Sequence, residues 1–101
     1  MLVPLGLLSG CGAMGGLPTC GGSDTKDLVG EIVNDMLDEA GFEDERFVRL
    51  RDIEELGYNP KDELRSCYAV LVTTDGEAEV QYSIRWTDKA KGEYWVEASI
   101  L

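Results

Sequence analysis

Three cysteines, Cys11, Cys20 and Cys67, are the strongest nucleophiles available, and the chain has no histidine at all. A cysteine or serine nucleophile needs a base beside it to take its proton, and histidine is the usual one. Cys–His and Ser–His activation are therefore excluded within the chain. Cys67 falls in an alternating run at a position facing a core, a setting in which a thiol stays protonated and inert. The acids Asp38, Glu39, Glu43, Asp44 and Glu45 could attract Ca²⁺. They lack the alternating Asp/Asn ligands and closing bidentate Glu of an EF-hand loop, so solvated charge is the plainer reading. No catalytic residue, metal site or cofactor is expected.

The elements that must position these residues belong to one modest domain. The 101 residues are 44% hydrophobic and 29% charged, the composition of an ordinary globular protein. The net charge is −11, from 20 acidic and 9 basic residues. Nucleic-acid affinity comes largely from Lys and Arg displacing counterions, so that class of partner is disfavoured; a basic partner fits better, or simply a solvated acidic surface that keeps the protein soluble. The charge is unevenly placed. No acid or base occurs in residues 1–23, which hold seven of the twelve glycines. This boundary divides the chain into residues 1–10, a Gly-rich segment over 11–23, and a domain over 24–101.

Residues 2–8 are apolar but too few to span a bilayer as a helix, which takes roughly 20. The length suits the apolar stretch of a secretory signal. Leu8-Ser9-Gly10-Cys11 resembles the lipobox of bacterial lipoproteins. No Lys or Arg precedes the apolar run, a departure from such a signal that leaves two alternatives: a few basic residues upstream of Met1, or an accidental match. The resemblance implies a diacylglyceryl thioether on Cys11, cleavage after Gly10, and a lipid anchor to the bacterial cell envelope, on the periplasmic side of the inner or outer membrane. Residues 11–23 then read as a flexible tether. With Cys11 acylated, Cys20 and Cys67 remain as a candidate disulfide pair in an oxidising compartment. The alternative is a buried Cys67 thiol and a free Cys20.

Residues 24–41 carry the clearest helix pattern. Leu28, Val29, Ile32, Val33, Met36, Leu37 and Ala40 recur at helical spacing. Asp24 is placed as N-cap, with Asp27 in a capping-box-like position, and Gly41 as the left-handed C-cap. Gly30 in mid-helix suits close approach to a sheet. Residues 46–51 read as a first strand with Val48 and Leu50 facing one way. Residues 52–56 either extend it past a bulge or form a helical turn, and residues 57–62 read as a loop around Asn59-Pro60.

Residues 64–101 read as three alternating runs. Asp75-Gly76 is a strong two-residue hairpin signal. It predicts Arg65 facing Trp86, Cys67 facing Ile84, Ala69 facing Tyr82 and Leu71 facing Val80. On the opposite face it pairs Tyr68 with Ser83, Val70 with Gln81 and Val72 with Glu79. A five-residue loop over 88–92, with Thr87 paired to Glu93, predicts Trp86 opposite Tyr94, Ile84 opposite Val96, Tyr82 opposite Ala98 and Val80 opposite Ile100. Both registers place Val80, Tyr82, Ile84 and Trp86 on one face, and a single-residue slip would move that whole set to solvent.

The fold expected is α+β, one N-terminal helix packed on a three- or four-stranded antiparallel β-meander. Helix followed by meander resembles the cystatin-like layout. The inhibitor motif Gln-x-Val-x-Gly is absent, since Gln81-Tyr82-Ser83-Ile84-Arg85 does not supply it, so protease inhibition is not implied. The outer sheet face, through Tyr68, Val70, Val72, Arg85 and Trp95, is the candidate partner-binding surface. Trp95 falls opposite Arg85 there, and Glu77, Glu79, Arg85 and Glu97 form the rim. The function expected is a small membrane-anchored bacterial lipoprotein with a non-catalytic, protein-binding or inhibitor-like domain. The alternative is a cytosolic, acidic immunity- or inhibitor-type protein that binds a basic partner.

Overall fold

The computed structural model describes residues 6–10, by their backbone pairing alone, and residues 16–101. One helix packs on one antiparallel sheet, an α+β layout as the pattern predicts. The elements are β1 (Gly6–Gly10), α1 (Ser23–Glu39), β2 (Phe47–Asn59), β3 (Leu64–Thr73), β4 (Gly76–Asp88) and β5 (Glu93–Ile100), with a 3-10 turn at Lys89–Lys91. Strands β2 to β5 form the expected meander, and β1 adds a fifth strand beyond β5, giving the order β1-β5-β4-β3-β2.

Helix α1 buries Val29, Ile32, Val33, Met36 and Leu37 against Ala69, Leu71, Val80, Tyr82, Ile84, Tyr94, Val96 and Ala98. Removing this apolar surface from water is the main driving force for the fold. Ala40, assigned to the stripe by periodicity, is exposed at the C-cap. The N-cap is Gly22 rather than Asp24, and no side chain caps it; Asp24 lies inside the first turn, where its charge still favours the helix dipole. The other end closes as expected. Gly41 takes φ 87°, and the N–H groups of Phe42 and Gly41 donate to the carbonyls of Leu37 (2.8 Å) and Asp38 (3.1 Å), a Schellman pair.

Gly30 has a specific reason to be glycine. A Cβ there would lie 2.8 Å from Cδ2 of Phe47, whose ring rests on the helix backbone. The Phe47 N–H donates to Asn34 Oδ1 at 2.8 Å, so helix and strand are joined by a hydrogen bond as well as by packing.

The β4–β5 register is the expected one: Val80, Tyr82, Ile84 and Trp86 pair with Ile100, Ala98, Val96 and Tyr94. At the turn the pair is Asp88 with Glu93, and Thr87 falls in a bulge. Gly92 closes the turn at φ 68°, and the Asp88 carboxylate accepts from the Lys91 N–H. The β3–β4 register is shifted by two residues from the expected one. Thr73 pairs with Gly76, so the turn is Thr74-Asp75, and Cys67, Ala69 and Leu71 face Tyr82, Val80 and Ala78. Neither Thr74 nor Asp75 has positive φ; Gly76, at φ 154°, takes the special conformation just after the turn. A shift of two leaves every side chain on its own face, so the core set is unchanged.

Strand β2 is longer and less regular than its sequence suggests. It continues past a bulge through Gly57, Tyr58 and Asn59, with irregularities between Phe47 and Arg49, Arg51 and Glu54, and Glu55 and Gly57. Asp52 sits at φ 52° in the second of these. The first bulge puts Val48 out to solvent while Leu50 is buried, so the two do not share a face.

Candidate functional site

Strand register orders the outer sheet face into rows that run across the strands. Leu64, Arg85, Trp95 and Ser9 form one row, and Ser66, Ser83, Glu97 and Leu7 the next. Glu54, Tyr68, Gln81 and Ser99 follow, then Arg51, Val70 and Glu79, then Arg49, Val72 and Glu77. The five residues singled out from sequence all lie on this face, in two groups. Arg85 and Trp95 are directly opposed, and the Arg85 guanidinium sits 5.3 Å from the indole centroid. Tyr68, Val70 and Val72 line up along β3. The row of Ser66 and Ser83 separates them from the Arg85–Trp95 pair.

The pairings across this face differ from the expected ones by the two-residue shift. Tyr68 faces Gln81, Val70 faces Glu79 and Val72 faces Glu77. Glu79, expected opposite Val72, therefore stands beside Val70, and Glu77 takes the place beside Val72. Each is held. Arg51 donates to both Glu77 oxygens, from Nη2 at 2.6 Å and Nε at 3.1 Å, and also pairs with Asp52. The bond to Arg51 holds the Glu77 carboxyl below its usual range, and the same bond raises the Arg51 guanidinium. Tyr68 Oη donates to Glu79 Oε1 at 2.8 Å, and that bond pushes the phenol up. Arg85 Nη2 lies 3.3 Å from Glu97 Oε1. The β3 apolar row is thus half-buried between two lines of charged and polar side chains.

Between the two groups the face dips, because the residues there are small. A shallow groove of about 190 Å³ is lined by Leu56, Ser66, Gln81, Ser83, Glu97 and Ser99. It adjoins a larger one of about 480 Å³ bordered by Asp62, Leu64, Arg85 and Trp86, with Ser83 and Glu97 common to both. Beside that border, Trp86 Nε1 donates to Glu63, which also pairs with Lys89. The bond to Lys89 lowers the Glu63 carboxyl. The serines and Glu97 were legible as outward-facing positions, but nothing in their identity marked a groove.

On the inner face a disulfide joins Cys20 to Cys67, with the Cα atoms 5.7 Å apart. Both cysteines lie in the core, and the Tyr82 hydroxyl donates to the Cys20 carbonyl at 2.8 Å. Burial pushes that phenol up to about 12. Arg65 adds a second clasp that sequence reasoning did not find. Its Nη1 donates to the carbonyls of Leu17 (3.2 Å) and Pro18 (2.8 Å), and Nε lies 2.7 Å from Glu55 Oε1. Its guanidinium also stacks 4.8 Å from the Tyr58 ring. Residues 17–20, read from composition as part of a loose tether, are fastened to β3 at these points. Cys11, the expected lipidation site, lies outside the described residues.

The acidic group near the end of α1 is partly engaged: Asp38 pairs with Arg46, and Glu45 accepts from the Thr73 hydroxyl. Among the described residues no cluster of three metal-ligating side chains is found, and no helix is long and apolar enough to cross a membrane. Neither a family model, nor a curated protein, nor a solved structure matches the chain.

Proposed function

We propose that this is a small bacterial lipoprotein, anchored through Cys11, whose extracytoplasmic domain is non-catalytic and binds a protein partner through the outer sheet face. The observation that carries the reading is the buried Cys20–Cys67 disulfide. Disulfides persist in oxidising compartments and are rare in the cytosol. With two of the three cysteines joined, the one left is Cys11, at the end of the lipobox-like Leu8-Ser9-Gly10-Cys11. The pairing therefore supports export and leaves a thiol for acylation. Two signals of independent origin, one in the core and one in the leader, agree.

The binding role rests on the outer face. Trp95 and Arg85 are stacked there, Tyr68, Val70 and Val72 present a half-buried row, and a small-residue groove lies between them. Aromatic and arginine side chains beside a concave strip are the usual anchors of protein interfaces. A basic partner suits the net charge of −11.

Intact mass measurement on the chain expressed in a bacterium tests the anchor. The expected product starts at Cys11 and carries the added mass of acyl chains, and Cys11→Ser abolishes both changes. An unmodified chain that retains residues 1–10 in its native host would overturn this reading. For the binding face, Trp95→Ala and Val70→Glu are each expected to lose the partner captured by the wild-type domain. Undiminished capture by both variants removes the outer face as the site.

A further inference from the structure

Strand β5 has two edges, one paired with β4 and the other with β1, where Gly6, Leu7, Leu8, Ser9 and Gly10 face Ala98, Glu97, Val96, Trp95 and Tyr94. On the lipoprotein reading, cleavage after Gly10 removes all five residues of β1. The processed protein then loses its outermost strand and nothing else of the sheet. The backbone N–H and C=O groups of β5 that β1 had satisfied are laid open, and an open strand edge is a template for another strand. The helix backbone also runs close to β1, so its removal uncovers the seam between α1 and β5 as well.

We propose that the edge of β5 in the processed protein accepts an extended, antiparallel segment of a protein partner, in the place β1 holds here, with a basic residue opposite Glu97. The proposal rests on the lipoprotein reading and names a binding mode at the edge where the outer face ends beside Trp95 and Glu97: main-chain pairing supplies affinity and alternate side chains supply specificity. The register sets what the incoming strand must carry. Its outer-face positions would lie beside Glu97 and Trp95, in rows that continue across the sheet to Ser83 and Arg85. β1 is uncharged throughout and carries Leu7 opposite Glu97. A Lys or Arg at that position adds an opposite-charge pair, whereas an acid there is repelled. A second copy of the chain is a poor occupant. Each copy carries −11, and antiparallel β5–β5 registers centred on Trp95 or Glu97 set glutamates against glutamates.

The test uses the full-length gene expressed in a bacterium. Wild type yields the processed form and Cys11→Ala retains residues 1–10, both taken in detergent. Amide hydrogen exchange at residues 94–98 is expected to be slow in Cys11→Ala and faster by more than about tenfold in the processed form. The probes are two synthetic peptides of residues 3–10, one carrying Leu7→Lys and one Leu7→Glu. The processed protein should bind the lysine peptide three- to about tenfold more tightly than the glutamate one, and regain amide protection with it. Cys11→Ala should bind neither. Equal protection of β5 in the two forms without peptide overturns the proposal, as does a dimer through β5 or equal binding of the two peptides. If mass measurement shows that wild type keeps residues 1–10, the lipoprotein reading has failed instead. The edge is then tested in the full chain with Leu7→Pro/Leu8→Pro, which breaks the β1 ladder whichever residue donates. Binding of the lysine peptide to that variant retains the strand-accepting edge, and its failure to bind removes it.

Discussion

The two faces of one sheet are built on opposite terms. On the inner face Ala69, Val80, Ile84, Val96 and Ala98 are fully buried, so β3, β4 and β5 each contribute side chains closed off from water. On the outer face Tyr68, Val70, Val72 and Trp95 are half-buried, and each stands beside a charged or polar neighbour with a partner of its own. The inner face coheres by volume, so a missing methyl group leaves a void that neighbours fill only in part. The outer face coheres by ion pairs and hydrogen bonds in contact with water, each worth little and each replaceable. A surface of that second kind can exchange its internal partners for those of another protein at small cost.

Substitutions that separate the faces should fall in a clear order. The largest effect is expected from reducing the Cys20–Cys67 bond or replacing both cysteines with alanine, which releases the N-terminal arm from the inner face. The chain-entropy model for the long loop it closes gives up to about 4 kcal/mol, read as a lower urea midpoint. Ile84→Ala, a pure cavity at the sheet centre, should cost about 3 kcal/mol in the same titration. A loss below about 1 kcal/mol would mean the inner face repacks freely, and the contrast between faces would collapse.

Tyr82 contributes a pH signature. Its phenol titrates near 12 in the folded protein, because burial disfavours the anion, against about 10 in the unfolded chain. The folded state therefore holds the proton longer. The stabilisation is complete below about pH 10 and is lost between about 10 and 12, at about 1.4 kcal/mol per pH unit. Tyr82→Phe should start lower, having lost its hydrogen bond to Cys20, and fall less steeply over that interval. Equal slopes would place the phenol in contact with water. Thr25→Val should raise stability by about 1 kcal/mol, because the buried Thr25 hydroxyl has no hydrogen-bond partner among the described residues. At the small end, Arg51→Gln breaks the exposed pair with Glu77 and should lower the urea midpoint least of all these changes, the difference shrinking further in high salt.

The same contrast explains what could be read from the chain and what could not. Alternation in β4 and β5 specified the face, because a shift of one residue there would expose Ile84 and Val96, and the loop over 88–92 set the register. A shift of two carries no such penalty, and Asp75-Gly76 drew the β3–β4 turn one residue late. Inside-outside parity was thus legible where exact pairing was not. The bulges of β2 left almost no trace, since Arg49, Arg51, Asp52 and Glu54 read as a broken alternation whether the strand bends or ends. The Arg65 clasp joins residues far apart in sequence, and its acceptors are backbone carbonyls, which no residue type announces. On the outer face the apolar row was legible from its period, but the ion pairs within it depend on a cross-strand register that the turn had disguised.

The Arg65 clasp and the disulfide together set a reach. On the lipoprotein reading, Leu17, whose carbonyl is held against β3, lies only six residues along the chain from the acylated Cys11. Fully extended, that length spans at most about 20 Å. The domain would ride close over the headgroups, and a partner would have to meet it at the membrane surface. With the disulfide reduced and the clasp released, the chain from Cys11 to the start of α1 would span at most about 40 Å. The clasp and the disulfide together would then set how far from its membrane the domain can work.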